Sequence, residues 1–196
     1  MRDTFTYQIG NSLYINLTNR CSNRCTFCVR NGKETYEGYP LWLSREPTAE
    51  EVIAEIGDPK KYSEIVFCGF GEPTYRLGAM LKISRAVHEM GGKTRLNTNG
   101  HGSVLNGRDI APELRGLLDG VNISLNAPTA QEYEKVCLPQ IGNAFAEMLA
   151  FAKSCKENGV NAWFSVVDCI GESAVGKCRK IADGVGIPLR VREYIP

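Results

Sequence analysis

The chain has 196 residues, 43% of them hydrophobic, and its 23 basic and 22 acidic side chains leave a formal charge of +1. That length allows one domain with a sizeable core and no need of covalent staples, while near-neutrality lends a nucleic-acid partner no support and excludes an acidic tail. Met1 to Thr4 leads into no apolar leader and no run reaches the length of a membrane span, so the expectation is a cytoplasmic protein whose eight cysteines are reduced and available to metal.

In chain order, Leu13, Ile15 and Leu17 alternate with Tyr14, Asn16 and Thr18, which predicts a strand with one core face and one polar face. The loop Cys21-Ser22-Asn23-Arg24-Cys25-Thr26-Phe27-Cys28 follows at once. A long connection from Arg30 to Pro47 then carries Tyr36, Tyr39 and Trp42, and segments of that length serve as lids or binding loops, or pack down on the domain. Thr48 and Glu51 form a capping-box pattern that opens a helix to about Gly57. Ile65 to Cys68 reads as a strand buried on both faces, stopping at the turn Gly69-Phe70-Gly71-Glu72-Pro73-Thr74. Helical spacing runs from Leu77 to Met90, a strand from Thr94 into the Asn99-Gly100 turn, and a weaker helix from Pro112 to Leu118. Val121 to Asn126 repeats the first strand's alternation, with Asn122, Ser124 and Asn126 on one face. A helix over Asn143 to Asn158, a strand over Ala162 to Val167, a helix over Ser173 to Asp183 and a strand over Leu189 to Tyr194 complete the chain.

Six strands separated by helical stretches imply right-handed βα units, a parallel sheet and, if the sheet curls, a partial (βα)6 TIM-like barrel in a single α/β domain spanning 1–196. Its polar stripes would face inward. The cysteine loop, Gly71-Glu72, Asn97, Asn99, Ser124 and Asn126 all fall at C-terminal strand ends, which makes one site of four separate stretches.

Three thiols on so short a loop suit zinc or an iron–sulfur cluster. Structural zinc takes four protein ligands, and His88 and His101 are distant in sequence, so either completes such a site only through the fold. A cluster can instead leave one iron open to a small molecule.

At these residues the sequence resembles the radical S-adenosylmethionine (radical SAM) superfamily over nearly its whole length. The resemblance implies a [4Fe–4S] cluster on Cys21, Cys25 and Cys28, with Phe27 as the usual aromatic neighbour and an open iron chelated by the amino and carboxylate groups of S-adenosylmethionine. The family's GGE motif appears as Phe70-Gly71-Glu72, with phenylalanine for the first glycine and a backbone carbonyl implied as the contact to the methionine amino group. By the same resemblance Ser124 and Asn126 approach the methionine carboxylate or ribose, Asn97 and Asn99 face cofactor or substrate, and Ile170, within Asp168 to Glu172, meets the adenine. The implied activity is reductive cleavage of S-adenosylmethionine to a 5′-deoxyadenosyl radical, which abstracts hydrogen from a polar small molecule. Such chemistry is oxygen-sensitive and needs an electron donor such as flavodoxin or ferredoxin. Tyr14, Asn16, Arg30, Arg190 and Arg192 are the candidate substrate contacts.

More narrowly, residues 17–30 resemble the TatD-associated radical SAM group. Compact size is shared with 7-carboxy-7-deazaguanine synthase, but Val29-Arg30 stands where that enzyme has Asp-Thr. It is shared also with glycyl-radical activases, of whose His-Asn only a displaced Asn31 is present. The remaining cysteines suggest no second cluster and no auxiliary-cluster domain. Two alternatives stay open, an activase acting on a partner protein and a non-enzymatic zinc module.

Overall fold

A computed structural model of the chain describes residues 3–194; a leader reading at Met1 and Arg2 lies outside the described residues. The chain opens with β1 (Thr6–Ile9) and β2 (Ser12–Ile15), antiparallel and in register Thr6 with Ile15 and Ile9 with Ser12. That register leaves the two-residue turn Gly10-Asn11, and Gly10 sits at φ +56°, as a twisted hairpin demands. The connection expected from Arg30 to Pro47 holds a second hairpin, β3 (Thr35–Tyr36) and β4 (Tyr39–Pro40), turned by Glu37 and Gly38 at positive φ.

Helix α1 (Ala49–Ile56) starts from the full capping box of Thr48 and Glu51. It is followed by β5 (Ile65–Phe67), α2 (Leu77–Glu89), β6 (Thr94–Thr98), the short α3 (Gly102–Leu105) and α4 (Ala111–Leu114), and β7 (Gly120–Ser124). The second half holds α5 (Ala130–Cys137), α6 (Ala144–Glu157), β8 (Ala162–Val167), α7 (Glu172–Val185) and β9 (Leu189–Arg192). Among the described residues no helix is long and apolar enough to cross a membrane.

The main sheet runs β1-β2-β5-β6-β7-β8-β9, antiparallel at the first pair and parallel from β2 onward. Six parallel strands match the sequence expectation; β1 is a seventh that the six-strand reading omitted. The row Ile15, Phe67, Leu96, Val121 and Ala162 crosses the sheet in register on the helix side, where α2 buries Met80, Ile83 and Val87, and α6 buries Met148, Phe151 and Cys155. Burying each such side chain contributes about 1.5–3 kcal/mol. The opposite face carries Asn97, Asn122 and Trp163 in one row and Ser124, Ser165 and Arg190 in the next. Residues after β2 (Cys25, Cys28, Tyr36) and residues from the end of β9 (Arg192, Tyr194) line one cavity, although those strands lie near opposite ends of the sheet. The sheet is therefore curled, polar face inward, as a partial TIM-like barrel.

Candidate metal and cofactor site

The cysteine loop is held from three sides. From the α5 side, Arg24 N–H donates to the Cys137 carbonyl at 3.0 Å, Thr26 N–H donates to that of Val136 at 2.9 Å, and Gln140 N–H donates to the Ser22 carbonyl at 2.7 Å. From the turn after β5, Glu72 N–H donates to the Arg20 carbonyl at 2.8 Å. Gly71 lies so close beneath this segment that a Cβ there would collide with the Thr18 carbonyl oxygen and come within 2.6 Å of that of Arg20. Arg30 closes the third side, donating from Nη1 to the carbonyls of Asn19 and Phe70, each at 3.0 Å. Its guanidinium is thereby engaged with backbone oxygens, which gives it a scaffold role instead of the substrate contact expected from the sequence.

Glu72 ties the ends of β5 and β6 together. Its side chain is 3% exposed and its carboxylate accepts from Thr74 N–H and hydroxyl, from the Thr98 hydroxyl and from Asn99 N–H at 2.7 to 3.1 Å. Burial lifts its pKa against those donors. Both oxygens are occupied within the chain, so Glu72 positions the site. Asn99, fixed this way, donates from Nδ2 to Ser22 Oγ at 2.8 Å and toward Cys21 Sγ at 3.8 Å.

Beneath the loop, His101 is fully buried. Nε2 faces the Ala144 carbonyl at 3.1 Å, an acceptor only, so Nε2 carries the proton and Nδ1 accepts from the Ser22 hydroxyl at 2.9 Å. Asn23 extends the network by donating to the Tyr133 hydroxyl at 3.0 Å. Burial pushes the His101 pKa down to about 4 from 6.5. Because the unfolded chain binds the proton more tightly, this residue stabilises the fold fully above about pH 6.5, and the contribution, on the order of 3 kcal/mol, is lost as pH falls toward 4. Urea unfolding of the wild type and His101→Gln between pH 7 and 4 is expected to show a steeper loss in the wild type; identical slopes would remove His101 as its cause. His88, the other histidine, bonds Asp119 at 2.9 Å on a separate part of the fold.

The three thiols share the loop and are all partly buried. Burial raises the pKa of Cys28 and pushes that of Cys21 to about 12, while that of Cys25 is raised first by its contact with the Cys137 thiol and then by burial. Among the described residues no three Cys, His, Asp or Glu side chains converge as a ready metal cage. The donor set still suits a thiophilic centre, since metal displaces thiol protons and three soft donors on one short loop are what a cluster with an open iron requires. A second observation agrees. Cys25 and Cys28 line a cavity of about 230 Å³ together with Asn23, Asn99, Ser124 and Asn126, and the buried Oδ1 atoms of Asn23 and Asn126 have no hydrogen-bond partner. Two orphaned acceptors beside the thiols fit a ligand bearing N–H or O–H groups.

A neighbouring cavity of about 370 Å³ shares Phe27, Asn126 and Tyr194 with the first and is lined also by Ile170. The remaining sequence candidates are distributed differently. Phe70 is buried with Tyr7 and Leu41 and stacks edge-on to Trp42, leaving only its carbonyl engaged, by Arg30. Asn16 is wholly buried, with Nδ2 on the Thr4 and Leu41 carbonyls and no room for a Cβ on Gly69 beside it. Tyr14 packs on Tyr7, ring centroids 5.3 Å apart. Asn97 accepts from Arg95 and from Asn122 Nδ2 on the polar face. Sequence reasoning missed Asn23, Tyr36, Val167 and Tyr194 as cavity walls. Asn23, inside the cysteine loop, and Tyr36, in the long connection after it, carried a positional signal.

The sequence profile of the Radical SAM superfamily matches residues 15–172. No curated protein matches the chain. Among solved structures, Streptococcus suis SuiB bound to precursor peptide SuiA aligns with a TM-score of 0.70 and 16% identity, covering 94% of this chain and 39% of SuiB. TYW1 with a lysine-pyruvate adduct aligns at 0.65 and 16% identity, covering 95% and 65%, and native anSMEcpe with bound AdoMet at 0.66 and 16% identity, covering 93% and 50%. The chain thus spans less than two thirds of each, and identities this low show a shared fold alone.

Proposed function

The chain belongs to the radical SAM superfamily, a family of enzymes, and on that premise we propose that it binds a [4Fe–4S] cluster through Cys21, Cys25 and Cys28 and cleaves S-adenosylmethionine reductively to act on a polar small molecule. The observation that carries this reading is the single cavity bounded by Cys25, Cys28, Asn23, Asn99, Ser124 and Asn126, with two unpartnered acceptors in its wall. Held by Cys21, Cys25 and Cys28, a [4Fe–4S] cluster with S-adenosylmethionine beside it would supply radical hydrogen-abstraction chemistry at this cavity.

The protein's own tasks are to bind, orient and exclude water. Asn23 and Asn126 offer Oδ1 acceptors to amino or ribose donors, and Ser124 faces the same space. Asn126 reaches both cavities from a left-handed backbone, φ +57°, which turns its amide across the strand end. Phe27 and Ile170 supply apolar walls in the larger cavity, a suitable surface for the adenine. The carbonyl of Phe70, held by Arg30, belongs to the scaffold beneath. The resemblance of residues 17–30 to the TatD-associated group, a single core domain with one cluster, and flavodoxin or ferredoxin as reductant are parts of this same proposal.

Anaerobic incubation of the iron- and sulfide-reconstituted protein with S-adenosylmethionine and dithionite is expected to release 5′-deoxyadenosine and methionine. A colourless protein that holds one zinc and leaves S-adenosylmethionine intact would overturn the reading.

A further inference from the structure

A third cavity, of about 450 Å³, occupies the polar inner face of the sheet and meets the thiol-lined cavity at Arg192, which lines both. Its walls come from four parallel strands and hold Arg95, Asn122, Trp163, Ser165 and Arg190.

Charge is unevenly compensated there. Arg95 is neutralised by Glu64, to which Nε donates at 3.0 Å and Nη2 at 2.8 Å. Arg190 and Arg192 form no ion pair among the described residues. Successive inward positions on one strand stand about 7 Å apart, so the two guanidiniums can close on one anion. Arg190 is not loose: its guanidinium lies 3.9 Å from the centroid of the Trp163 ring, and that ring in turn lies over Gly120, where a Cβ would come within 2.6 Å of it. Gly120 thus makes room for the ring that aims the arginine.

Acceptors are also left over. Asn97 Oδ1 receives Arg95, which can only donate, so Asn122 must present its Nδ2 to the same oxygen. This fixes the Asn122 amide and leaves Oδ1, buried in a residue 5% exposed, without a partner. Ser165, 1% exposed, has an equally unpartnered Oγ. Unpaired buried polar atoms cost about 1–3 kcal/mol each, a penalty that a bound ligand relieves.

We infer that this cavity binds the substrate, and that the substrate carries a carboxylate for Arg190 and Arg192 and N–H or O–H donors for Asn122 Oδ1 and Ser165 Oγ. The assignment of this molecule as the hydrogen donor rests on the radical SAM reading above. The specificity for an acid follows from the two uncompensated guanidiniums, and that for a donor-bearing acid from the two orphaned oxygens.

Calorimetric titration of the reconstituted protein with glycyl-L-alanine, glycyl-L-alaninamide and inorganic phosphate tests it. The acid is expected to bind at least about tenfold more tightly than its amide and more tightly than phosphate. Arg190→Gln and Arg192→Gln, at exposed positions of β9, are each expected to weaken the acid about tenfold. Ser165→Ala is expected to weaken it severalfold while leaving the melting temperature unchanged or raised, because the hydroxyl it removes has no partner in the fold. Equal affinity for acid and amide, tighter binding of phosphate, or no binding of the dipeptide acid overturns the inference. Cleavage of S-adenosylmethionine by the wild type, assayed without dipeptide, fails only if the radical SAM reading itself fails, so the two failures are separable.

Discussion

The Cys25→Ala protein is expected to emerge from anaerobic reconstitution with no bound iron or sulfide and no cleavage of S-adenosylmethionine, while Cys155→Ala keeps all three. The contrast follows from placement. Cys25 lies on the loop that α5 and the turn after β5 clamp in position, at the wall of the cavity with Cys28. Cys155 is fully buried in the apolar face of α6, packed in the core. Removing its sulfur costs roughly 1 kcal/mol of fold stability and touches no ligand. Removing Cys25 would take away one of the three proposed donors, and His101 cannot replace it, since both its ring nitrogens are engaged, by Ser22 and Ala144. Cys137 supplies the stringent control. It is hydrogen-bonded to Cys25 but lies outside the three-cysteine motif, so Cys137→Ala is expected to retain iron. Iron and acid-labile sulfide per protein, with the visible absorption of the cluster, provide the readout. Equal loss in the Cys25 and Cys155 variants would refute the ligand assignment.

What was legible in the sequence was what local chemistry alone determines. The Thr48 capping box, the buried run Ile65 to Phe67, the helical spacing from Leu77 and the paired alternations at β2 and β7 all appear where their patterns put them. Helix α5 was passed over because only Tyr133 and Cys137 of its eight residues are buried, too few for a periodic signal, although Thr129 and Glu132 spell a capping motif. The same helix holds the cysteine loop, so the omission hid half of that loop's support. The β1 strand is signalled in the sequence only by the turn Gly10-Asn11, and the six-strand reading began after it. Roles that depend on contacts far apart in the chain had no local signature. Arg30 reads as a free cation until Asn19 and Phe70 occupy it, and Glu72 reads as a ligand until Thr98 and Asn99, some 26 positions on, consume its oxygens. Ser165 has no local signature, and Asn122, on the polar face with Ser124 and Asn126, becomes specific only once its Oδ1 is seen to lack a partner.

Glu72 then offers the second large effect. Its Oε1 accepts from the Thr74 N–H and from the hydroxyls of Thr74 and Thr98, and its Oε2 accepts from the Asn99 N–H. In Glu72→Ala the four donors lose their acceptor in a site too buried for water to replace it freely, and a destabilisation of about 3–5 kcal/mol is expected. Glu72→Gln keeps the size and still fails in part. A hydroxyl can rotate to accept from the new amide, but a backbone N–H cannot, so either orientation of the glutamine sets its NH2 against the N–H of Asn99 or that of Thr74. The expected order of urea midpoints is therefore wild type, then Gln, then Ala. The consequence reaches the site through Asn99, whose backbone Glu72 anchors and whose side chain bonds Ser22 beside Cys21. Both variants are expected to lose iron more readily to a chelator than the wild type at a temperature where each remains folded. A glutamine variant as stable and as chelator-resistant as the wild type would show that the carboxylate does not hold the ends of β5 and β6 together.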